Sequence, residues 1–139
     1  MLVVTNEYSI KTSGEKDIVD VTELAARTIK DCRLQSGIIT LFVVGSTAAI
    51  TTIEYEPGLK KDFAKALDNI VPKGLSYEHD KTWHDGNGHS HIRSSLIGPS
   101  LTIPFIKGHL SLGIWQQIIL IELDTRPRER KIVMQIIGE

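Results

Sequence analysis

The run Ile38-Ile39-Thr40-Leu41-Phe42-Val43-Val44 limits the possible folds more than any other stretch. A continuous β-branched and apolar segment of this kind is expected of a strand buried on both faces. Around it, residues 2–11 read as a first strand, and residues 47–55 as another after the Gly45-Ser46 break. Leu101-Thr102-Ile103 precedes a turn at Lys107-Gly108. Residues 114–123 form a long apolar strand and residues 131–137 a last one, with a turn over 125–130. The chain turns β-rich from residue 91 onward on this reading.

Two helices interrupt the strands. Val21, Leu24, Ala25, Thr28, Ile29 and Cys32 recur at helical spacing. Asp20 and Glu23 resemble a capping box, with Gly37 as the stop signal. Pro57 opens a second helix and Pro72 ends it, with Leu59, Phe63, Ala66, Leu67, Ile70 and Val71 as its inward stripe. Residues 73–90 lose all periodicity and read as a long functional loop. The resulting fold class is α+β: two helices packed on mostly antiparallel sheet, sandwich-like, in a single domain over 1–139.

Charge and composition narrow the function classes. A net charge of −1, with 24% charged residues, provides no global field for nucleic acid or an anionic membrane. The basic run Arg126, Arg128, Arg130 and Lys131 reads as a solvated turn. Cys32 is the single cysteine, so no disulfide forms within the chain, and its helical setting suits a buried apolar residue. Neither a signal peptide nor a membrane-length apolar run is visible, so the expected location is cytoplasmic.

Chemistry concentrates in residues 77–93. His79, His84, His89 and His91 stand there among Asp80, Asp85 and Asn87. Imidazole is both the common transition-metal ligand and the usual acid–base group near neutral pH. On an extended backbone His89 and His91 would leave the same face, and His79 could join them as the third ligand of a divalent metal, Zn or Mg. The bland alternative is a set of solvated loop histidines. Arg93, followed by Ser94 and Ser95, suits a phosphate or pyrophosphate. No phosphate-loop or dinucleotide-binding glycine motif is present. Ser46 and Thr47 make a small polar pocket or merely satisfy a strand end. Glu54 is an acid near the histidines or an exposed edge residue, and Trp83 either stacks on a ring or packs. If the loop holds the site, His89→Ala is expected to spare stability and abolish ligand or metal binding.

Four blocks in order, Gly45-Ser46-Thr47-Ala48-Ala49-Ile50-Thr51, Asp85-Gly86-Asn87-Gly88-His89-Ser90-His91, Leu96-Ile97-Gly98-Pro99-Ser100 and Gly113-Ile114-Trp115-Gln116, resemble the YjbQ family. The resemblance runs over essentially the whole chain. It implies a compact α+β fold, a homotrimer, and a weak secondary thiamine-phosphate synthase activity in which pyrophosphate leaves hydroxymethylpyrimidine diphosphate. It also implies that His79, Asp85, Asn87, His89, His91, Glu54, Trp115 and Gln116 are the family's recurrent polar set. Asp85, Glu54 and His89 are then the candidates for catalysis. Arg93, Asn87, Ser46, Thr47, Trp115 and Gln116 are those for a phosphorylated small-molecule substrate. Gly45 stands where many members have histidine, and Ile114 where many have threonine. A metal-dependent hydrolase and a phosphate-binding module without turnover are the alternatives to a synthase.

Overall fold

The computed structural model describes all 139 residues. Five strands form one sheet in the order β1 (Leu2–Lys11), β8 (Glu129–Gly138), β3 (Ser36–Val44), β5 (Ser100–Ile106) and β6 (His109–Leu110). A second sheet orders β2 (Ile18–Asp20), β7 (Gln117–Glu122) and β4 (Ala48–Ile53). Every pairing is antiparallel. The main core brings together Ile39, Leu41 and Val43 of β3, Ile132, Met134 and Ile136 of β8, and Ile118 and Leu120 of β7.

β7 is buried on both faces. Ile118 and Leu120 point into that core, while Ile119, Ile121 and Leu123 join Ala49 and Leu67 in a second one. The doubly buried strand expected at β3 is therefore found instead at β7. In β3, Ile39, Leu41 and Val43 are covered, while Phe42 and Val44 are 44% and 48% exposed. Composition could not separate them, because both are apolar runs. What differs is position: β7 is the middle strand of the sheet that has a core on each side.

Four helices are present, two more than expected. α1 (Thr22–Cys32) follows Asp20, whose carboxylate accepts the Thr22 N–H at 2.9 Å. No side chain caps at Val21, so the capping box is absent. The stop is Arg33, at φ 57°, and not Gly37. Gly37 lies inside β3, where a Cβ would collide with Ile137 O of β8. α2 (Pro57–Ile70) opens on Glu56, whose carboxylate accepts from Gly58 N–H and Leu59 N–H, which explains its place in an otherwise exposed acidic stretch. Its inward stripe is narrower than predicted: Leu67 and Phe63 pack in the second core, whereas Ala66 is exposed and Ile70 is 69% exposed.

The segment read as loop then strand contains α3 (Glu78–Trp83) and α4 (Gly88–Ile97). α4 escapes periodicity because its buried positions are polar: His89, Ser90, Arg93 and Ser94. Without an apolar stripe a helix gives no amphipathic signal. No helix is long and apolar enough to cross a membrane.

Candidate functional site

Local contacts set α4 in place. Asp80 Oδ1 accepts the Gly88 N–H at 2.9 Å, closing the turn between α3 and α4. A Cβ on Gly88 would lie 2.5 Å from Tyr77 Cβ, so the turn closes only over glycine. Further along, Ser94 Oγ donates to Ala48 O at 2.6 Å and pins the helix to β4. On this helix His89 and His91 are separated by roughly 200° of rotation, so they face opposite ways. The predicted shared face disappears with the predicted extended backbone.

His91 meets His79. Their ring centroids are 4.3 Å apart, and His79 Nε2 lies 3.5 Å from Asp85 Oδ1. The buried Asn87 amide is wedged among acceptors on both sides. One end is 3.1 Å from His79 Nε2 and 2.9 and 3.2 Å from the Asp85 oxygens; the other faces Asp124 Oδ1 at 3.3 Å. With its nitrogen turned toward Asp85 the amide donates to those oxygens, and His79 Nε2 donates or accepts according to its tautomer. The cluster gathers the carboxylates of Asp85 and Asp124 around two imidazoles. Burial lowers the His91 pKa below its ordinary value and the neighbouring His79 lowers it further, against the opposing pull of Asp85, Asp124 and Asp80. His91 is therefore a neutral imidazole at neutral pH.

Asp124 anchors the cluster from behind. Burial would raise its carboxyl, but hydrogen bonds from Thr125 N–H, Asn87 and Arg128 outweigh that and hold it below the usual range. Beneath it, fully buried Glu122 accepts from Arg130 Nε at 2.8 Å and Thr12 Oγ1 at 2.7 Å. Arg130 also donates to Thr47 Oγ1 at 2.7 Å. The basic run is thus not a solvated turn throughout: Arg130 is 5% exposed and pairs inside the fold. Sequence reasoning missed Glu122 and Asp124. The signal was two acids, two residues apart, where the apolar run Ile118–Leu123 ends.

His89 belongs to a different network. It is 1% exposed, with Nε2 2.8 Å from Glu15 Oε1. One turn on, Arg93 is fully buried and its guanidinium is wholly engaged. Nε and Nη2 donate to Val71 O at 3.0 and 2.9 Å, Nη1 reaches Glu15 at 3.3 Å, and Nη2 also reaches Asp68 at 3.1 Å. Two expectations are corrected here. Arg93 is not free to receive a phosphate, because its donors tie the β1–β2 connection and α2 to α4. His89 does not join His79 and His91, because Glu15 holds it on the other face.

The remaining candidates divide by strand position. Thr47 is buried behind the cluster, 3.4 Å from Asp124 Oδ2, whereas Ser46 is exposed. Glu54, Trp115 and Gln116 lie at the opposite end of β7, since Ile53 pairs with Gln117 and Ala48 with Glu122. That strand separates them from Asp124 by about 20 Å. Gln116 there accepts from Gly113 N–H at 3.0 Å and donates to Thr52 Oγ1 at 3.2 Å, holding a turn. Trp83 and Trp115 are each 70% exposed. As metal donors the cluster residues are of the right kind, but no three His, Cys, Asp or Glu side chains of the chain converge to hold an ion.

The whole-chain comparisons agree with this architecture. A family model described as "UPF0047 protein YjbQ-like" matches residues 6–139. A UPF0047 protein of Methanothermobacter thermautotrophicus is 36% identical over 139 residues, covering 100% of this chain and 95% of that relative. The UPF0047 protein YugU of Bacillus subtilis is 31% identical, covering 93% of this chain and 96% of its own. Among solved structures, a YbjQ-like protein of unknown function from Sulfolobus solfataricus P2 superposes with a TM-score of 0.93 at 31% identity, covering 99% of both chains. An uncharacterized protein of Clostridium acetobutylicum gives 0.87 at 36% identity, covering 95% of this chain and 99% of that one. The chain belongs to the UPF0047 family of YjbQ-like proteins.

Proposed function

We propose that the His79–Asp85–His91 cluster is the catalytic centre of an enzyme acting on a small phosphorylated molecule. The observation that carries this is the meeting of a neutral imidazole with the Asp85 and Asp124 carboxylates at a partly exposed position. His91 is the proton acceptor there, Asp85 favours the imidazolium that forms, and Asn87 and Asp124 hold the geometry. The phosphorylated substrate comes from the family resemblance alone. Thiamine-phosphate formation is accordingly the first reaction to assay. The thiazole nitrogen bonds to the pyrimidine methylene carbon, the carbon–oxygen bond breaks, and pyrophosphate leaves; this step frees no proton, and the imidazole N–H groups serve it by donating to the departing oxygens.

A specific observation favours a second reading, hydrolysis of a small phosphorylated or acyl substrate. A neutral His91 is the form that accepts a proton from attacking water, while the guanidinium best suited to departing pyrophosphate is buried in another network. The deciding experiment supplies both thiamine precursors together and singly, and quantifies thiamine phosphate, pyrophosphate and orthophosphate. Coupled product indicates the synthase, and orthophosphate from one precursor indicates the hydrolase. Ligand-induced thermal shift without either product in wild-type protein would leave only the binding module and end the enzymatic reading.

We further propose, from the same resemblance, a homotrimer working in the cytoplasm, a compartment that suits the lone Cys32. The outer face of the large sheet supports assembly. Val3, Ile137, Ile38 and Pro104 stand side by side across four strands, with Phe42 beside Val133 a little further on. β7, by contrast, is buried and unavailable as an interface. Light scattering at micromolar concentration checks the trimer, and a monomer there ends the proposal.

A further inference from the structure

The largest cavity of the molecule shares no lining residue with the histidine cluster. It measures about 460 Å³ and lies between α1 and the turn joining β5 to β6. The apolar surface of its floor comes from half-buried Ala26 and Leu110, laid over Ile29 and Leu34, which are themselves sealed in the core. Its rim carries Arg27, Lys30, Arg33 and Lys107, against the single carboxylate of Glu23. Lys16, Lys73, Lys81, Arg93, Arg128, Arg130 and Lys131 find carboxylates, whereas Lys11, Lys60, Lys61, Lys65 and Arg126 do not, so what sets the rim apart is that its four cations stand around one cavity. The four rim cations form no ion pair, in a chain whose net charge is −1.

Helix-end electrostatics account for part of this arrangement. Lys30 and Arg33 stand at the C-terminus of α1, where cations complement the macrodipole. Arg27 lies earlier on the helix and Lys107 on a different element, so that explanation does not reach them. Arg33 and Lys107 also occupy left-handed backbone positions, φ 57° and 53°, which glycine or asparagine fills with less strain. The two walls are tied together, since Gly108 N–H donates to Gln35 O at 2.9 Å just beyond the end of α1. An apolar floor under unpaired cations favours a ligand with two parts, one to desolvate and one to neutralise.

We propose that this cavity is a second ligand site, for an organic anion bearing a phosphate or carboxylate on an apolar or aromatic body. The volume falls within the usual span for small-molecule sites, roughly 300–1,000 Å³. The rim takes the anionic group and the floor takes the body, and the inference does not depend on the reaction at the histidine cluster.

The test uses 1-naphthyl phosphate as probe on the full-length protein, with binding followed by calorimetry. Saturable binding is expected, with inorganic phosphate and 1-naphthol each at least about tenfold weaker, since each lacks one of the two contacts. Arg27→Glu combined with Lys107→Glu should weaken the probe by about tenfold or more. Lys61→Glu with Lys65→Glu makes the same change in net charge away from the cavity and should leave binding unchanged. Circular dichroism and melting temperature check that each variant is folded. Arg27→Gln with Lys107→Gln replaces the charge reversal if that unfolds the chain. Absence of saturable binding to the wild type, equal affinity for inorganic phosphate, or equal weakening by both charge-reversed pairs would overturn the assignment.

Discussion

The two faces of α4 carry the same residue type to opposite ends. On one face His89 is sealed from solvent against Glu15, with Arg93 a turn away binding Glu15, Asp68 and Val71 O. On the other, His91 lies against His79 beside a half-exposed Asp85. The first network is closed, because every guanidinium nitrogen has its partner. The second is open, because the His79 and Asp85 side chains are 31% and 47% exposed and keep part of their hydrogen-bonding capacity toward solvent. A closed polar network joins elements of the fold, whereas an open one is left with capacity to bind a proton or ligand. Identity as histidine therefore says little about role; the completeness of the surrounding hydrogen bonding says more.

The sharpest way to break this comparison is to remove the centre of the closed face. Arg93→Ala should destabilise the fold by about 3–5 kcal/mol, because Glu15 loses a cationic partner and the buried Val71 carbonyl loses its donors. Urea denaturation measures this. A loss below about 1 kcal/mol would show that the network holds nothing together.

Next in size is the histidine pair itself. His89→Ala is expected to cost about 1–3 kcal/mol by taking one of three partners from Glu15 and emptying a sealed position, in contrast to the tolerance that a loop position would have shown. His91→Ala should stay within about 1 kcal/mol of wild type while abolishing turnover of whichever substrate the product assay identifies. Equal losses of stability in the two variants would erase the distinction between the faces.

A smaller effect separates the faces by pH. Glu15, Asp68 and Asp124 have carboxyl pKa values lowered in the fold, so the unfolded chain binds their protons first. Burial opposes this at Glu15, but hydrogen bonds from Lys73 and His89 prevail, while at Asp68 the Lys16 hydrogen bond leads. Their stabilisation is present at neutral pH and is lost as pH falls through the lowered folded values, below about 4. His91, lowered from about 6.5, begins to cost stability earlier, because the unfolded imidazole is already protonated where the folded one is not. Stability should thus decline shallowly below about 6.5 and steeply below about 4. His91→Asn should remove the shallow step and leave the steep one. A steep step that vanishes instead would place the acid sensitivity with the His91 cluster and Asp124 rather than with Glu15 and Asp68.

The least effect belongs at the far end of β7. Glu54 is exposed and its carboxylate has no ion pair, so Glu54→Gln should change stability by less than about 0.5 kcal/mol. Turnover should be unchanged. A large loss of turnover would bring that end of the strand into the active centre through a contact between copies of the chain.

How much of this was legible depended on whether local pattern and final environment agreed. The longer strands, α1 and α2 announced themselves because apolar residues recur where a core exists to receive them, as Ile29 and Leu67 do, whereas the short β2 and β6 gave no such pattern. The family followed from the Asp85–His91 block and the Gly113–Gln116 block, both local in sequence. The histidine segment was rightly singled out, but its helix was hidden by buried polar residues whose partners lie far away: Glu15, Asp68 and Val71 for His89 and Arg93, and Ala48 for Ser94. Asp124 was overlooked for the same reason, since its neighbours Asn87 and Thr47 come from other elements.

By itself, then, the sequence determined the α+β class, the apolar strands and the family, because each rests on spacing between near neighbours. Only the tertiary structure decided which strand is doubly buried, which histidines meet, and that Arg93 is an internal clamp. Those outcomes depend on which distant donor reaches which acceptor once the chain has packed, and no one-dimensional period encodes such a pairing.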